Sequence, residues 1–403
     1  MDTALRFVLF VLVIGVITVF SHIYLYRRLF RDTAEHAGWR LTGKVLLVGL
    51  CLPLILSWFV TRLLPTNALF SMATVVWTWM GISIYLLLTL GAVDGVWALT
   101  RKLQARKAAR ETPAATPAPQ APASVDEARR LFLARAGASG AVLATSGLVG
   151  YGSWRAFHPP VVSEVAVRLP GLPKALDGFT LVHLSDIHVG PIIERRFMDE
   201  LVARCNALKP DLVAITGDLV DGTVSGLGPA VSALTNLRSR AGTYFVTGNH
   251  EYYWNADAWA QALEGMGIGA LRNRHVRIGD AAASFDLVGV DDWSARNRGG
   301  ARGYDLDAAT AGRDPSRASV LLAHQPSNWA EAAQAGMGLQ LSGHTHGGQF
   351  FPFTLAVAAI WRHDQGHFQQ GENHLYVSRG TGFWGPPLRV GAPPEIVKVT
   401  LLA

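Results

Sequence analysis

Three runs without formal charge dominate the first hundred residues, at 7–26, 45–61 and 68–93. The first holds twenty residues rich in Val, Leu, Ile and Phe, long enough to cross a bilayer core. The second is shorter, is flanked by Lys44 and Arg62, and carries Pro53. The third is longer than a span requires, so it can tilt. Three such runs so close together do not read as buried helices of a water-soluble core. They predict three transmembrane helices within residues 1–100.

A basic run follows, with Arg101, Lys102, Arg106, Lys107 and Arg110, and then Pro113, Pro117, Pro119 and Pro122 among alanines. This composition builds no core, and residues 101–128 are expected to form a flexible or partly extended linker. Next come Arg129, Arg130, Phe132, Leu133 and Arg135, and then an uncharged, mildly apolar stretch, 136–154, with five glycines. Residues 129–155 resemble a twin-arginine export signal lying inside the chain, which implies the twin-arginine export machinery as a partner. The alternative is a basic flank on an ordinary fourth helix. No small-x-small cleavage site is evident, so the segment is expected to stay as an anchor.

Beyond residue 160 the pattern shortens. Apolar runs at 179–185, 211–216, 242–247, 318–323 and 339–342 read as buried strands. Helical spacing marks 193–208, 227–240, 256–265 and 327–334, and further strands are expected at 275–278, 284–290, 374–378 and 395–402. Alternating strand and helix predicts a layered α/β domain over 160–403, large enough for a sizeable core.

Charge changes the picture only in the membrane part. The formal net charge of +6 owes much to residues flanking the apolar runs, so it gives no argument for nucleic-acid binding. Arg27, Arg28, Arg31, Arg40 and Lys44 fill the first loop and the basic run follows the third span, whereas only Arg62 lies between spans two and three. Positive loops stay in the cytoplasm. The amino terminus is therefore expected outside, with a fourth crossing that delivers the α/β domain to the extracytoplasmic side of a bacterial inner membrane. The two cysteines, Cys51 in a predicted span and Cys205 on a predicted helix, are not expected to pair.

Five short segments carry the candidate chemistry. They are Asp186 with His188, Gly217-Asp218 with Asp221, Gly248-Asn249-His250-Glu251, His324, and Gly343-His344 with His346. Each follows a predicted strand, where open α/β sheets place their sites. Residues two apart on a strand share a face, so Asp186 and His188 can reach one ion. A carboxylate such as Asp218 has two oxygens with which to bridge two cations. Paired cations supply the activated water and the clamp that phosphate-ester hydrolysis needs at neutral pH. His183, His275, His363, His367 and His374 are read as structural.

These segments, in order and spacing, resemble the calcineurin-like metallophosphoesterases. Gly347-Gly348-Gln349, residues 377–382, Pro386 to Arg389, and Pro393 to Glu395 are similar to the membrane-tethered bacterial YaeI/YkuE-type group. The resemblance covers about residues 160–403. It implies two packed β-sheets flanked by helices, a sandwich that periodicity alone does not show. It also implies that Asp186, His188, Asp218 and His346 hold one metal and that Asp218, Asn249, His324 and His344 hold the other. His250 would face the substrate, stabilising phosphoryl charge or protonating the leaving oxygen. Asp221 and Glu251 are read as residues that orient ligands.

The reading is a membrane-anchored, dinuclear metal-dependent phosphoesterase in which a metal-activated hydroxide attacks phosphorus in line. Mixed imidazole and carboxylate ligands suit manganese, iron or zinc. Tyr252, Tyr253, Trp254, Phe350, Phe351, Phe353, Phe383 and Trp384 crowd the motif loops. They point to a phospholipid or lipid-linked sugar phosphate as substrate, with core packing as the alternative. Two further readings stand beside it: a non-catalytic binder of envelope phosphate polymers, and a nucleotide-lipid pyrophosphatase with a cytoplasmic domain.

Overall fold

The apolar runs of the amino-terminal part all become helix. A computed structural model describes residues 3–60, 66–111, 123–297 and 303–403. Contacts divide the chain into two units, residues 1–151 and 152–403. Helices α1 (Thr3–Tyr26), α2 (Ala37–Val60), α3 (Thr66–Glu111) and α4 (Ala123–Phe157) are each long and apolar enough to cross a membrane. Between 11% and 22% of each apolar window is buried, so most apolar side chains face outward, where lipid suits them.

Leu25, Phe30, Leu47, Leu86, Leu90 and Ala141 form the small core of the first unit. Tyr24 donates to Asp94 (2.7 Å) and Arg28 pairs with the same carboxylate (2.6 Å), so the charge that ends the third apolar run is not left alone. A π-helical turn, Arg27–Arg31, extends α1 into the basic loop. The basic run 101–110, expected to open a linker, instead continues α3, because Ala, Leu, Gln, Lys and Arg are all good helix formers. The fourth segment starts earlier than expected, at Ala123. The proline-rich part of the linker, with Pro113, Pro117, Pro119 and Pro122, lies outside the described residues, as does Arg62.

The second unit is built from two six-stranded sheets. The strands are β1 (Val161–Arg168), β2 (Phe179–Leu184), β3 (Leu212–Thr216), β4 (Thr243–Val246), β5 (Gly269–Ala270) and β6 (Arg274–Gly279). They continue with β7 (Ser284–Gly289), β8 (Ser319–Leu322), β9 (Leu339–Ser342), β10 (Gly366–Gln370), β11 (Asn373–Val377) and β12 (Glu395–Leu402). One sheet has the order β1-β12-β2-β3-β4-β5 and the other β10-β11-β9-β8-β7-β6. In the first, β2, β3, β4 and β5 run parallel, and β12 lies antiparallel to β2. In the second, β7, β8, β9 and β11 run parallel between antiparallel edges β6 and β10.

Leu181, Leu212, Ala214 and Val397 of the first sheet join Phe285, Leu287, Val320 and Leu341 of the second in one core, which makes the pair a sandwich. The rings of Phe179 and Phe285 meet edge to face across it at 5.2 Å. Helices α5 (Arg195–Ala207), α6 (Val224–Val231), α7 (Ala256–Gly265), α8 (Leu306–Thr310), α9 (Trp329–Gln334) and α10 (Phe353–Ile360) lie in the connections. Strand β3 is buried throughout, as a strand covered on both faces must be.

Most expected elements are present. The helix expected at 227–240 begins earlier, capped by Thr223, and passes into a 3-10 turn at Ser232–Asn236, where Ser, Thr and Asn compete for the backbone. Strands β1 and β10 and helices α8 and α10 were not expected. Both cysteines are free.

His183 on β2 is fully buried, with Nε2 2.7 Å from Thr216 Oγ1 and Nδ1 without a partner. Burial lowers its pKa to about 3. The unfolded chain then binds a proton that the folded chain refuses, so this contribution is full above pH ~6.5 and lost as pH falls toward 3. We expect His183→Gln to flatten the acid loss of thermal stability between pH 6.5 and 4. The wild-type excess is up to about 1.4 kcal/mol per pH unit, read from fluorescence melts of the solubilised full chain.

Candidate metal centre

All five motif segments fall on loops at the carboxyl ends of parallel strands. Asp186 and His188 follow β2, Asp218 follows β3, Asn249 and His250 follow β4, His324 follows β8, and His344 and His346 follow β9. The strand argument for paired residues needs correction here: β2 ends at Leu184 and β9 at Ser342, so neither pair lies on a strand. Their common aim comes instead from left-handed backbone. Asp186, His188, Asp218, His344 and His346 have φ between 48° and 74°. Such conformations cost non-glycine residues on the order of 1–3 kcal/mol each and persist where the surroundings over-determine them.

Here the surroundings do so. Asp186 N donates to Gly217 O (3.1 Å), His188 N to Asp218 O (3.0 Å), and His344 N to both oxygens of Asp186 (3.1 and 3.0 Å). Gly217 (φ 80°) sits against the backbone of Gly248, and a Cβ there would overlap it. A Cβ on Gly343 would overlap Ser185 Oγ and Asp186 Oδ2. Glycine at 217 is a matter of space as well as conformation, and at 343 of space alone.

Among the described residues the loops bring would-be ligand atoms together in three groups: Asp186 with His188 and His346, Asp218 with His324 and His344, and His188 with Asp221 and His250. The first two hold the residues that the resemblance makes ligands. In the first, His188 Nε2 lies 3.2 Å from His346 Nε2, and His346 Nε2 lies 3.3 Å from Asp186 Oδ1. In the second, His324 Nε2 is 3.2 Å from His344 Nδ1, 3.2 Å from Asn249 Oδ1 and 3.3 Å from Asp218 Oδ2. That carboxylate oxygen is also 3.9 Å from His188 Nε2, so Asp218 reaches both groups. Neighbouring donors in a shell of radius about 2.1 Å stand at such separations. Buried nitrogens whose lone pairs face one another gain little from each other and much from a cation, so the donor set fits divalent metal.

Outer contacts set which nitrogen is available. His324 Nδ1 donates to Thr216 O (2.8 Å) and His188 Nδ1 to Asp221 Oδ2 (3.2 Å), leaving each Nε2 for a metal. Burial, and then the positive charge of Arg389, hold His346 well below the usual histidine range. Burial and the neighbouring His324 lower His344 as well. Both rings are therefore neutral, as ligands must be. Burial works against the charge on Asp218, but the charged rings of His324 and then His250 outweigh it and hold the carboxyl well below its usual range. Against burial, Asp218 in turn holds His324 well above its own, so a cation bound there would displace the His324 proton.

His250 is placed differently. Its Nδ1 lies 2.5 Å from Asp221 Oδ1 and its Nε2 3.8 Å from Asp218 Oδ2, with the side chain 12% exposed. Burial opposes a charged ring, but Asp218 and Asp221 outweigh burial and push its pKa up to about 10. Asp221 thus joins His188 on one oxygen to His250 on the other. Glu251, fully buried, accepts from Asp218 N (3.0 Å), Leu219 N (2.8 Å) and Gly248 N (2.7 Å), tying two motif loops to one carboxylate. His183, His275, His363, His367 and His374 belong to none of the metal-type groups among the described residues.

Two residues had a place in the resemblance but no role. The buried guanidinium of Arg389 donates to Arg379 O (2.7 Å), His346 O (3.1 Å), Gly382 O (3.1 Å) and Ala392 O (3.2 Å). Gln349 donates to Trp384 O (2.9 Å) and Pro386 O (3.0 Å) and accepts from Trp384 N (2.9 Å), which sets the Trp384 ring 5.5 Å from His250. Polar residues amid glycine and proline were the only signal for either.

A sandwich with carboxylate, amide and imidazole donors gathered at one loop edge defines a metal-binding α/β domain. A family model described as calcineurin-like phosphoesterase matches residues 179–348. The chain is 40% identical over 291 residues to the transmembrane protein with metallophosphoesterase domain of Bos taurus, covering 70% of this chain and 65% of that protein. It is 37% identical over 261 residues to an uncharacterized metallophosphoesterase of Helicobacter pylori, covering 63% of this chain and 68% of that one. With the uncharacterized metallophosphoesterase YkuE of Bacillus subtilis it shares 30% identity over 264 residues, 62% of this chain and 90% of that protein. The chain belongs to the calcineurin-like metallophosphoesterase family. Its match spans 65% and 62% of the length of the relatives from Bos taurus and Danio rerio.

Gly343→Ala tests the spatial argument. The added methyl displaces Asp186, so purified protein should bind less metal while its circular dichroism stays that of the wild type. Asp221→Asn should weaken metal affinity or activity about 10–100-fold by releasing His188 and His250, read by metal titration.

Proposed function

We propose that the protein is a membrane-anchored, dinuclear metal-dependent phosphoesterase. The observation that carries this reading is the pair of buried donor groups sharing Asp218. Asp186, His188, Asp218 and His346 would hold one cation, and Asp218, Asn249, His324 and His344 the other. Bound there, two divalent cations supply an activated water and positive charge against the phosphoryl oxygens.

The protein's own groups supply the rest. His250 stands between two carboxylates that favour its protonated form, and its Nε2 can donate a proton to a phosphoryl or leaving oxygen. Asp221 fixes the orientation of both His250 and His188. Glu251 and Arg389 hold the loops against the strain of their left-handed residues. Imidazole, carboxylate and amide donors suit manganese, iron or zinc. The complete donor set together with His250 beside it favours an enzyme over a binder of envelope phosphates, since holding a phosphate polymer needs no proton donor.

A phosphodiester is the substrate class we favour, carried by a phospholipid or a lipid-linked sugar. The rings of Tyr253 and Trp384 stand 5.2 and 5.5 Å from His250, and both residues are exposed, at 58% and 44%. Apolar faces beside the proton donor suit a substrate with an apolar body. The basic residues beside the first and third spans support an extracytoplasmic domain in a bacterial inner membrane, anchored by several helices. Arg129 and Arg130 ahead of the fourth support export through the twin-arginine route.

Asp218→Ala should abolish hydrolysis of a chromogenic phosphodiester with the fold retained, and His250→Ala should lower kcat about 10²–10⁴-fold at unchanged metal content. Full activity in either variant refutes the assignment. For topology, the carboxyl terminus should be open to protease added to intact cells stripped of their outer layers. Protection there would favour the nucleotide-lipid pyrophosphatase reading, whose substrate is cytoplasmic.

A further inference from the structure

Six residues separate helix α10 from His346, and none of its side chains is buried. Seven of its eight residues are apolar, and Thr354 is the exception. Phe353, Leu355 and Ile360 are 43%, 63% and 77% exposed, and Phe351 just before them is 47% exposed. Leaving that surface in water forfeits about 25 cal/mol for each Å² it could bury, and contiguous apolar patches of this kind mark interaction sites.

The helix is held in place at both ends. At its start, Phe351 N donates to Val390 O (2.8 Å), and the Phe350 and Phe353 rings meet at 5.1 Å. Gly348 packs directly on the backbone of Phe353 and Thr354, leaving no room for a Cβ. At the other end the Trp361 ring stands 5.2 Å from that of His344. The apolar surface is therefore packed, at both of its ends, against the loop that carries His344 and His346.

We infer that α10 is a membrane-docking element that lies in the interfacial layer of a bilayer. Three observations favour lipid over other occupants. The same chain carries four helices fit to span a membrane. Only residues 158–160 separate the last of them, α4, from β1, so the domain is confined near the bilayer by its covalent link. Trp361 and Arg362 directly follow the helix and the exposed Trp384 is bonded to Gln349 in the loop before it, residue types that settle at headgroup depth. Eight residues are too few to span, so the helix lies in the plane of the interface.

The test uses the full chain in proteoliposomes, with Cys51 and Cys205 replaced by serine and alanine. Single cysteines at Leu355, Ile360 or Asp280 carry an environment-sensitive fluorophore, and the bilayer contains a spin-labelled quencher lipid. Asp280 is exposed in the turn before β7, at the strand ends opposite the metal-type loops. Labels at 355 and 360 should emit at shorter wavelength and be quenched at least threefold more than the label at 280. The same quenching in an Asp218→Ala background separates docking from catalysis, since it must persist whether or not the protein is a phosphoesterase. Water-like emission and equal quenching at all three positions would overturn the inference. Efficient energy transfer or cross-linking between copies at 355, without quenching, would assign the surface to a second copy of this chain and would overturn it too.

Discussion

Crowding of like groups is the constraint on which the domain depends. Four imidazoles, two carboxylates and an amide lie buried or nearly so, with nitrogen and oxygen atoms 3.2–3.9 Å apart. Buried polar atoms are expensive unless something answers them. A divalent cation answers several at once, and it does so only if every donor arrives at the same point. The rest of the sandwich can be understood as the scaffold that makes them arrive. Two apolar sheets pack face to face, and their parallel strands end on one side, so loops distant in sequence open side by side.

Convergence has a conformational cost, and the molecule meets it with a few buried polar residues. Five of the seven proposed ligands adopt left-handed backbone, which turns side chains inward where an extended chain would alternate them. Glu251 answers the free N–H groups of the loops after β3 and β4 with one carboxylate. Arg389 does the converse, filling the carbonyls of the loops that hold His346, Arg379 and Gly382. These two residues touch no substrate in the proposed reaction. They fix the backbone from which the chemistry hangs, and burial makes each bond worth more than it would be in water.

The two units follow opposite solvent rules. In the sandwich, apolar residues turn inward and the site is polar. In the first unit the apolar residues turn outward, and the internal contacts include a carboxylate, Asp94, bonded to Tyr24 and Arg28. Helix α10 breaks the rule of its own unit by exposing an apolar surface beside the polar site. Its coupling to His344 through Trp361 would make a lipid surface part of the environment of the reaction.

The sequence alone determined a good deal. Lengths of uncharged runs predicted helices long enough to span a membrane, because bilayer thickness sets a minimum that composition can satisfy or fail. Strand and helix alternation predicted the layered domain, and the residue types of the five motifs predicted metal chemistry, because Asp, Asn and His are the available ligands. The tertiary structure decided what depends on distance and on φ. It put Asp186 and His188 beyond the end of β2, showed that Asp221 holds two histidines at once, and gave Glu251 and Arg389 their tasks. It also revealed β1, β10 and α10, whose local patterns are too short or too uniform to declare themselves. Local preference is written residue by residue, whereas convergence is a property of the whole chain, visible only once its distant loops have met.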